Sequence, residues 1–315
     1  MELTTLLTSI AVMAVIIGIG ALIGMRLPLG GDSRQLLIMI IVNVAMPCII
    51  LDGIFQLPID RSLLTQIFAI FAIAILFTCM GIFLGWLGAR MLRLPASQAR
   101  QLAILSGCGN TGFIGIPLCA ALFGAKGALL AAVFDAGLDF TIWTLGVMLL
   151  QEKRSFSLSG LRSMVNIPMF AILGGLTIAV IGYHPPEIVR QLTGTLAKLA
   201  SPLAMIYIGM LIPALLKNKK RVPLPVLGLP LALKLCVYPL LAAALLCLFP
   251  LDGDLAHIII IQTAMPTIAM ASILFARYAA DEEMGAMTTV FSTLTAIATI
   301  PVVVLMGNLM LQQLP

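Results

Sequence analysis

Apolar positions along this chain gather into long unbroken runs, separated by short clusters of charge, glycine and proline. The runs fall at about residues 4–25, 35–55, 63–89, 98–123, 127–150, 165–183, 190–215, 224–249, 255–278 and 284–311. Most reach about 20 residues, the length a helix needs to cross the ~30 Å hydrocarbon core of a bilayer. Ten membrane-spanning helices are therefore expected, joined by loops too short to hold a further domain. The longest polar stretches are the loop Gln151–Ser163 and the basic turn Lys217–Arg221. The first run does not read as a removable signal, because Glu2 stands where a basic leader would be and Leu6–Met25 is long enough to span.

Composition then removes the soluble alternatives. Apolar residues make up 61% of the chain and charged residues 10%, against roughly 45–50% and about 25% in soluble domains. The six cysteines all lie inside apolar runs with no metal-ligand spacing, so they read as small packing residues, and no cofactor is expected. The net charge of +5 is a topology signal and points to no nucleic acid. Thirteen of the 18 Lys and Arg residues lie in loops after odd-numbered runs, from Arg26 and Arg34 to Arg277. Only Arg61, Lys126, Arg190 and Lys198 belong to the alternate side. Basic loops stay in the cytoplasm, so both termini are expected outside, on the periplasmic face of a bacterial inner membrane.

The two halves of the chain, 1–155 and 156–315, resemble each other. Asn43-Val-Ala-Met-Pro47 in the second run matches Lys198-Leu-Ala-Ser201-Pro202 in the seventh. Ala121-Leu-Phe-Gly124 matches Ile273-Leu-Phe-Ala276. Five runs per half is an odd number, so the second half would sit inverted in the membrane. Inverted repeats with Gly/Pro-interrupted segments at matching places point to a secondary transporter and to its binding site. Chance matching in a leucine-rich chain is the competing explanation.

The fourth run contains Ser106-Gly-Cys-Gly-Asn110-Thr111-Gly112-Phe-Ile-Gly115-Ile-Pro117, and the ninth contains Gln262-Thr263-Ala-Met-Pro266-Thr267. Glycine loosens a helix and proline removes a backbone donor, so both runs are expected to break. Broken backbone at membrane depth survives only inside protein or beside a watery cavity. Half-helix N-termini would there offer N–H groups to an anion. The alternative is a pair of proline kinks in an ordinary bundle. Candidate substrate contacts are Asn110, Thr111, Gly112, Gln262, Thr263 and Thr267, with Asn43 and Ser201 beside the matched prolines. Gly115, Pro117, Pro266, Pro47 and Pro202 would shape the interruptions.

Asn110-Thr-Gly-Phe-Ile-Gly-Ile-Pro117-Leu, followed by Ala121-Leu-Phe-Gly124, resembles the fourth-span signature of the auxin efflux carrier family. Gln262-Thr-Ala-Met-Pro266 and Phe275-Ala-Arg277-Tyr278 are similar to its ninth-span signature. That family includes plant PIN carriers and bacterial organic-acid permeases. The resemblance implies an all-α membrane fold of ten helices in a five-plus-five inverted repeat with crossed broken helices 4 and 9. The architecture is of the kind seen in bile-acid symporters and sodium/proton antiporters. It implies a scaffold of spans 1, 2, 6 and 7 and an elevator-like moving bundle of spans 3–5 and 8–10. It also implies that Asn110 is the substrate-binding asparagine and that the cargo is a small organic anion, such as malonate, malate or an auxin-like acid. Two departures weigh against auxin itself: Ala271 replaces a proline of the plant carriers, and their long central loop is missing.

Asp135 and Asp139 lie one turn apart on the fifth run, and Lys234 lies midway along the eighth. Ionisable groups inside a membrane are costly and usually line a pathway or pair with one another. Two neighbouring carboxylates suit a proton-coupling site; a structural Asp–Lys pair is the equal alternative. No arginine lies deep in a run, so a doubly charged substrate would lack a bidentate clamp. A monocarboxylate or a singly protonated dicarboxylate fits better. Coupling to a proton or a sodium ion, and pairing into a homodimer, are left open. An enzyme is not expected, since neither His-Glu-x-x-His nor a phosphate loop occurs. Competing functions are cation–proton exchange or sodium symport on the same fold, and a membrane receptor without transport.

Overall fold

The computed structural model describes residues 3–27, 30–57, 60–151, 167–216, 224–249, 251–278 and 280–312. The expected loop 152–163 and the basic turn Lys217–Arg221 lie outside the described residues. Every regular element among the described residues is a helix. Among the described residues, six helices are long and apolar enough to cross a bilayer: Gln35–Gln56, Arg61–Met91, Thr111–Leu150, Glu187–Pro213, Val226–Leu246 and Glu282–Leu311. Two shorter apolar helices, Ala11–Arg26 and Ile167–Val180, accompany them. Large apolar side chains face outward, among them Phe68 at 73% exposure and Ile188 at 77%. Water would penalise such faces, whereas lipid does not. The chain is a multi-pass membrane helical bundle.

Proline shapes these helices in a regular way. Four five-residue segments widen into π-helix: Ile41–Ala45, Thr111–Gly115, Ile142–Gly146 and Leu233–Val237. Three of them end two residues before a proline, namely Pro47, Pro117 and Pro239. Proline lacks the N–H that the carbonyl four residues earlier would accept, and its ring crowds that carbonyl. The crowded carbonyls belong to Asn43, Phe113 and Leu235, the central residue of each widened segment. An i→i+5 turn moves the carbonyl aside and keeps the helix going. Met46 N–H, for example, donates to Ile41 O, and Tyr238 N–H to Leu233 O.

The chain folds as two compact units. The first comprises Met1–Ala69, Gly112–Val133 and Val165–Lys219. Within it, helix Leu3–Arg26 lies against Ala200–Leu216 at glycine contacts so close that a Cβ on Gly209 would stand 2.1 Å from Ile17 O. Helix Met46–Gln56 packs on both Ile167–Val180 and Glu187–Ala197. The seventh run, expected as one helix, carries a turn at Lys198–Leu199 between the segments Glu187–Ala197 and Ala200–Leu216. Pro202 withholds the N–H that Lys198 O would accept, and the helix is distorted there. The fourth and fifth runs meet at Gly124, whose φ of 61° and ψ of −144° are far from helical.

The second unit comprises Ile70–Thr111, Phe134–Met164 and Lys220–Pro315. Its core gathers around Leu102, Ile104, Leu105, Cys108, Ala271 and Phe275, all fully buried. These residues come from the segments flanking two helix interruptions, so the best-packed part of the unit surrounds its irregular backbone.

Candidate functional site

Helix Ala96–Gly107 stops at the Gly/Asn cluster, and the chain resumes helical form at Thr111. Helix Gly253–Thr263 stops before Pro266, and the chain resumes at Ala271. Each break strips the preceding helix of carbonyl partners. The two breaks supply much of what the other lacks. Gly109 and Thr267 form an isolated antiparallel bridge. Asn110 N–H donates to Pro266 O at 2.7 Å, and Ile268 N–H donates to Cys108 O at 3.1 Å.

Side chains complete the pairing. Thr267 Oγ1 donates to Leu105 O at 3.0 Å, and Thr289 Oγ1 donates to Ile268 O at 2.9 Å. Ser292 Oγ accepts from Thr267 N–H at 3.1 Å. Lys234 reaches in from Leu233–Val237, and its ammonium donates to Thr263 O at 2.8 Å, at the negative end of a half-helix. It also lies 4.4 Å from the centre of the Tyr238 ring and is only 1% exposed. Gly109 makes room for it, since a Cβ there would sit 3.0 Å from Nζ. Thr111 donates its hydroxyl to the Asp135 carboxylate.

Asn110 stands where the two breaks pair. It is 3% exposed, its backbone N–H is taken by Pro266, and its side-chain Nδ2 is buried with no hydrogen-bond partner. A buried amide donor without a partner costs about 1–3 kcal/mol.

The sequence candidates divide between the units. Asn110, Thr111, Gln262, Thr263, Pro266, Thr267, Asp135, Asp139 and Lys234 belong to the second. The bonds above bring Asn110, Thr111, Pro266, Thr263, Asp135 and Lys234 to the two interruptions. Asp135 comes from another run, and Thr111 ties it to the break. Gln262 is fully buried beside Thr263, and Asp139 is half-buried one turn beyond Asp135. Asn43, Pro47, Gly112, Gly115, Pro117, Ser201 and Pro202 belong to the first unit. Asn43 is exposed there, while Gly112, Gly115 and Pro117 are buried.

The first unit holds a cavity of about 360 Å³. Pro117, Ala121, Gly124 and Ala128 line one side, and Asp52, Gln56, Lys198 and Ser201 supply its polar groups. Of these only Ser201 was singled out by sequence. Asp52 and Gln56 are one turn apart on Met46–Gln56, and a lone carboxylate within an apolar run was the signal available for them.

The fold and site are those of a multi-pass membrane bundle with buried, paired helix breaks and a small-residue cavity. The chain belongs to the membrane transport protein family, whose model matches residues 5–159 and 155–304. This is a family of transporters, and the membership gives the chain a non-enzymatic role. The chain is similar to an uncharacterized transporter of Methanothermobacter thermautotrophicus, at 24% identity over 87% of this chain and 89% of that protein. It is 26% identical to another uncharacterized transporter, from Methanocaldococcus jannaschii, over 84% of this chain and 87% of that protein. It is 23% identical to a proposed malonate transporter of Rhizobium meliloti, over 86% of each.

Proposed function

We propose that this protein carries small organic anions across the membrane, by alternating access, with the two paired interruptions as the substrate site. The observation that carries the reading is the Asn110 side-chain amide, buried and unpartnered where two broken helices meet. A carboxylate oxygen is the natural acceptor for it, and the name of the Rhizobium relative points the same way. The substrate contacts proposed are Asn110, Thr111, Gly112, Gln262, Thr263, Thr267, Asn43 and Ser201. Malonate or malate, singly protonated, fits a chain without a deep arginine.

The architecture proposed with it is ten spans in a five-plus-five inverted repeat, with both termini outside. The helix Thr111–Leu150 supports the count. Its 40 residues would reach about 60 Å, twice a ~30 Å core, so Gly124 separates two crossings. Helices interrupted at 108–110 and 264–270 are each read as one crossing, as is the pair Glu187–Ala197 and Ala200–Leu216.

Asn110→Ala tests the reading. Losing a hydrogen bond to a charged partner costs about 1.5–3 kcal/mol, a roughly 10- to 150-fold loss of affinity. Malonate and malate binding to the purified protein should weaken by that order, with thermal unfolding unchanged or slightly improved. Wild-type affinity in the variant would place the substrate elsewhere.

A second reading, cation–proton exchange, draws on Asp135. A carboxylate tied by Thr111 to the helix break stands where such an exchanger needs one. Sodium-driven proton movement in proteoliposomes without any carboxylate present would establish it.

A further inference from the structure

The cavity of the first unit has walls chosen to leave space. Alanine, glycine and proline dominate it: Pro117, Ala121, Gly124, Ala128 and Gly194 contribute no side chain longer than a methyl group or a pyrrolidine ring. Its volume of about 360 Å³ falls at the small end of ligand pockets, roughly 300–1,000 Å³. Residues of opposite charge from different helices line this apolar chamber. Asp52 comes from Met46–Gln56, and Lys198 from the turn between Glu187–Ala197 and Ala200–Leu216, with Ser201 also in the lining.

The Asp52 carboxylate is oriented. Oδ2 accepts from Gln56 Nε2 at 2.7 Å, which fixes the group along its own helix. Oδ1 faces Gly194, where a Cβ would stand 3.1 Å away, so the absence of a side chain at 194 keeps that oxygen uncrowded. Lys198 follows the last turn of Glu187–Ala197, and Ser201 stands in the first turn of the next helix, where N–H groups lack intrahelical partners. Lys198 and Ser201 favour a carboxylate in the chamber. Asp52 adds a carboxylate of its own, which repels a second anion and accepts a hydrogen bond.

We infer that this cavity selects among organic anions for those that carry a hydrogen-bond donor close to the carboxylate, with Asp52 as the group that reads the donor. The donor is a hydroxyl, an ammonium or the protonated half of a dicarboxylate; a plain monocarboxylate offers none. The inference rests on the organic-anion reading and narrows it. Recognition works through mismatch. An anion lacking the donor leaves Asp52 desolvated and unanswered, and a site built around a polar partner rejects such analogues more strongly than a missing methylene would.

Pairs of monocarboxylic acids that differ in one hydroxyl give the test: lactate against propionate, and glycolate against acetate. Equilibrium binding is measured on the full-length protein in detergent micelles and on Asp52→Ala and Gly194→Ala, with thermal unfolding as the check of fold. The wild type should prefer the hydroxy acid in each pair by about 10-fold or more, the scale of one hydrogen bond to a charged group. In Asp52→Ala the preference should collapse toward unity. In Gly194→Ala, which crowds Asp52 without removing it, the preference should fall while plain acids bind as before. Equal binding of both members by the wild type overturns the inference, as does a preference that survives in both variants. Should Asp52→Ala fail to fold, Gly194→Ala decides alone. Carboxylates that bind through Asn110 without donor preference sink this inference only; absence of binding by any carboxylate sinks the organic-anion reading with it.

Discussion

Replacing Lys234 by methionine sets two opposed effects against each other. The ammonium donates to Thr263 O at 2.8 Å and sits 4.4 Å from the Tyr238 ring centre, so methionine removes both contacts. A charged hydrogen bond contributes about 1.5–3 kcal/mol net, and a desolvated cation–π contact up to about 2 kcal/mol. In the other direction, a buried ammonium carries a desolvation penalty of several kcal/mol, which methionine abolishes. Methionine also matches the length and flexibility of the lysine stem, so little cavity is left. The balance rests on what remains behind. Thr263 O lies at the end of its helix, and Thr267 N–H, the donor it would otherwise meet, is already given to Ser292. Removing Lys234 leaves that carbonyl buried without its ammonium, at about 1–3 kcal/mol. A net loss of about 1–3 kcal/mol is expected, read as a fall of several degrees in the unfolding temperature.

Thermal unfolding in micelles and counterflow in liposomes between pH 5 and 8 make up the assay. The expected result is lower stability with an unaltered pH profile, because the ammonium serves a helix end. Unchanged stability together with a flattened pH profile would refute the reasoning and place Lys234 in the coupling cycle.

Three further outcomes follow from the same structure. Asp135→Asn should abolish the pH dependence of uptake while counterflow continues, since Thr111 ties this carboxylate to the break; pH-dependent uptake in the variant would exclude it as the proton carrier. Gly124→Ala should lower stability by about 1–3 kcal/mol through backbone strain alone. The φ is 61°, and no atom lies within 4 Å of the new Cβ, so an unchanged unfolding temperature would contradict the turn. In a cysteine-free background, Leu3→Cys should be labelled from outside and Lys219→Cys only from the cytoplasm, following the Lys/Arg bias; the reverse pattern would invert the proposed topology.

How much of this was legible beforehand depends on the range of the physics involved. Helices read directly from run lengths, because in a membrane each backbone must satisfy itself locally. The interruptions near Asn110 and Pro266 read from the coincidence of proline with glycine or polar neighbours. Proline by itself is no guide: Pro213, Pro230 and Pro301 sit inside continuous helices, whereas Pro202 accompanies a turn that the apolar pattern concealed. Proline in a helix leaves a displaced carbonyl, and whether the helix kinks, widens into a π turn or parts depends on which neighbour can accommodate that carbonyl. Such neighbours come from elsewhere in the chain.

The same limit hid the pairing of the two breaks. Asn110 N–H meets Pro266 O, Thr267 Oγ1 meets Leu105 O and Lys234 meets Thr263 O, each across a large separation in sequence. No local pattern encodes these bonds, yet every one answers a backbone group that its own helix abandoned. The bond of Asp135 to Thr111 is hidden in the same way, since the two residues lie in different runs. Asp52 escaped notice because a single carboxylate in an apolar run has no spacing to betray it. Asn110 differs from all the others in kind. Its backbone takes part in the pairing, and its side-chain amide is left over. A buried amide donor left over where two broken helices pair their backbones is a natural place for a visiting acceptor.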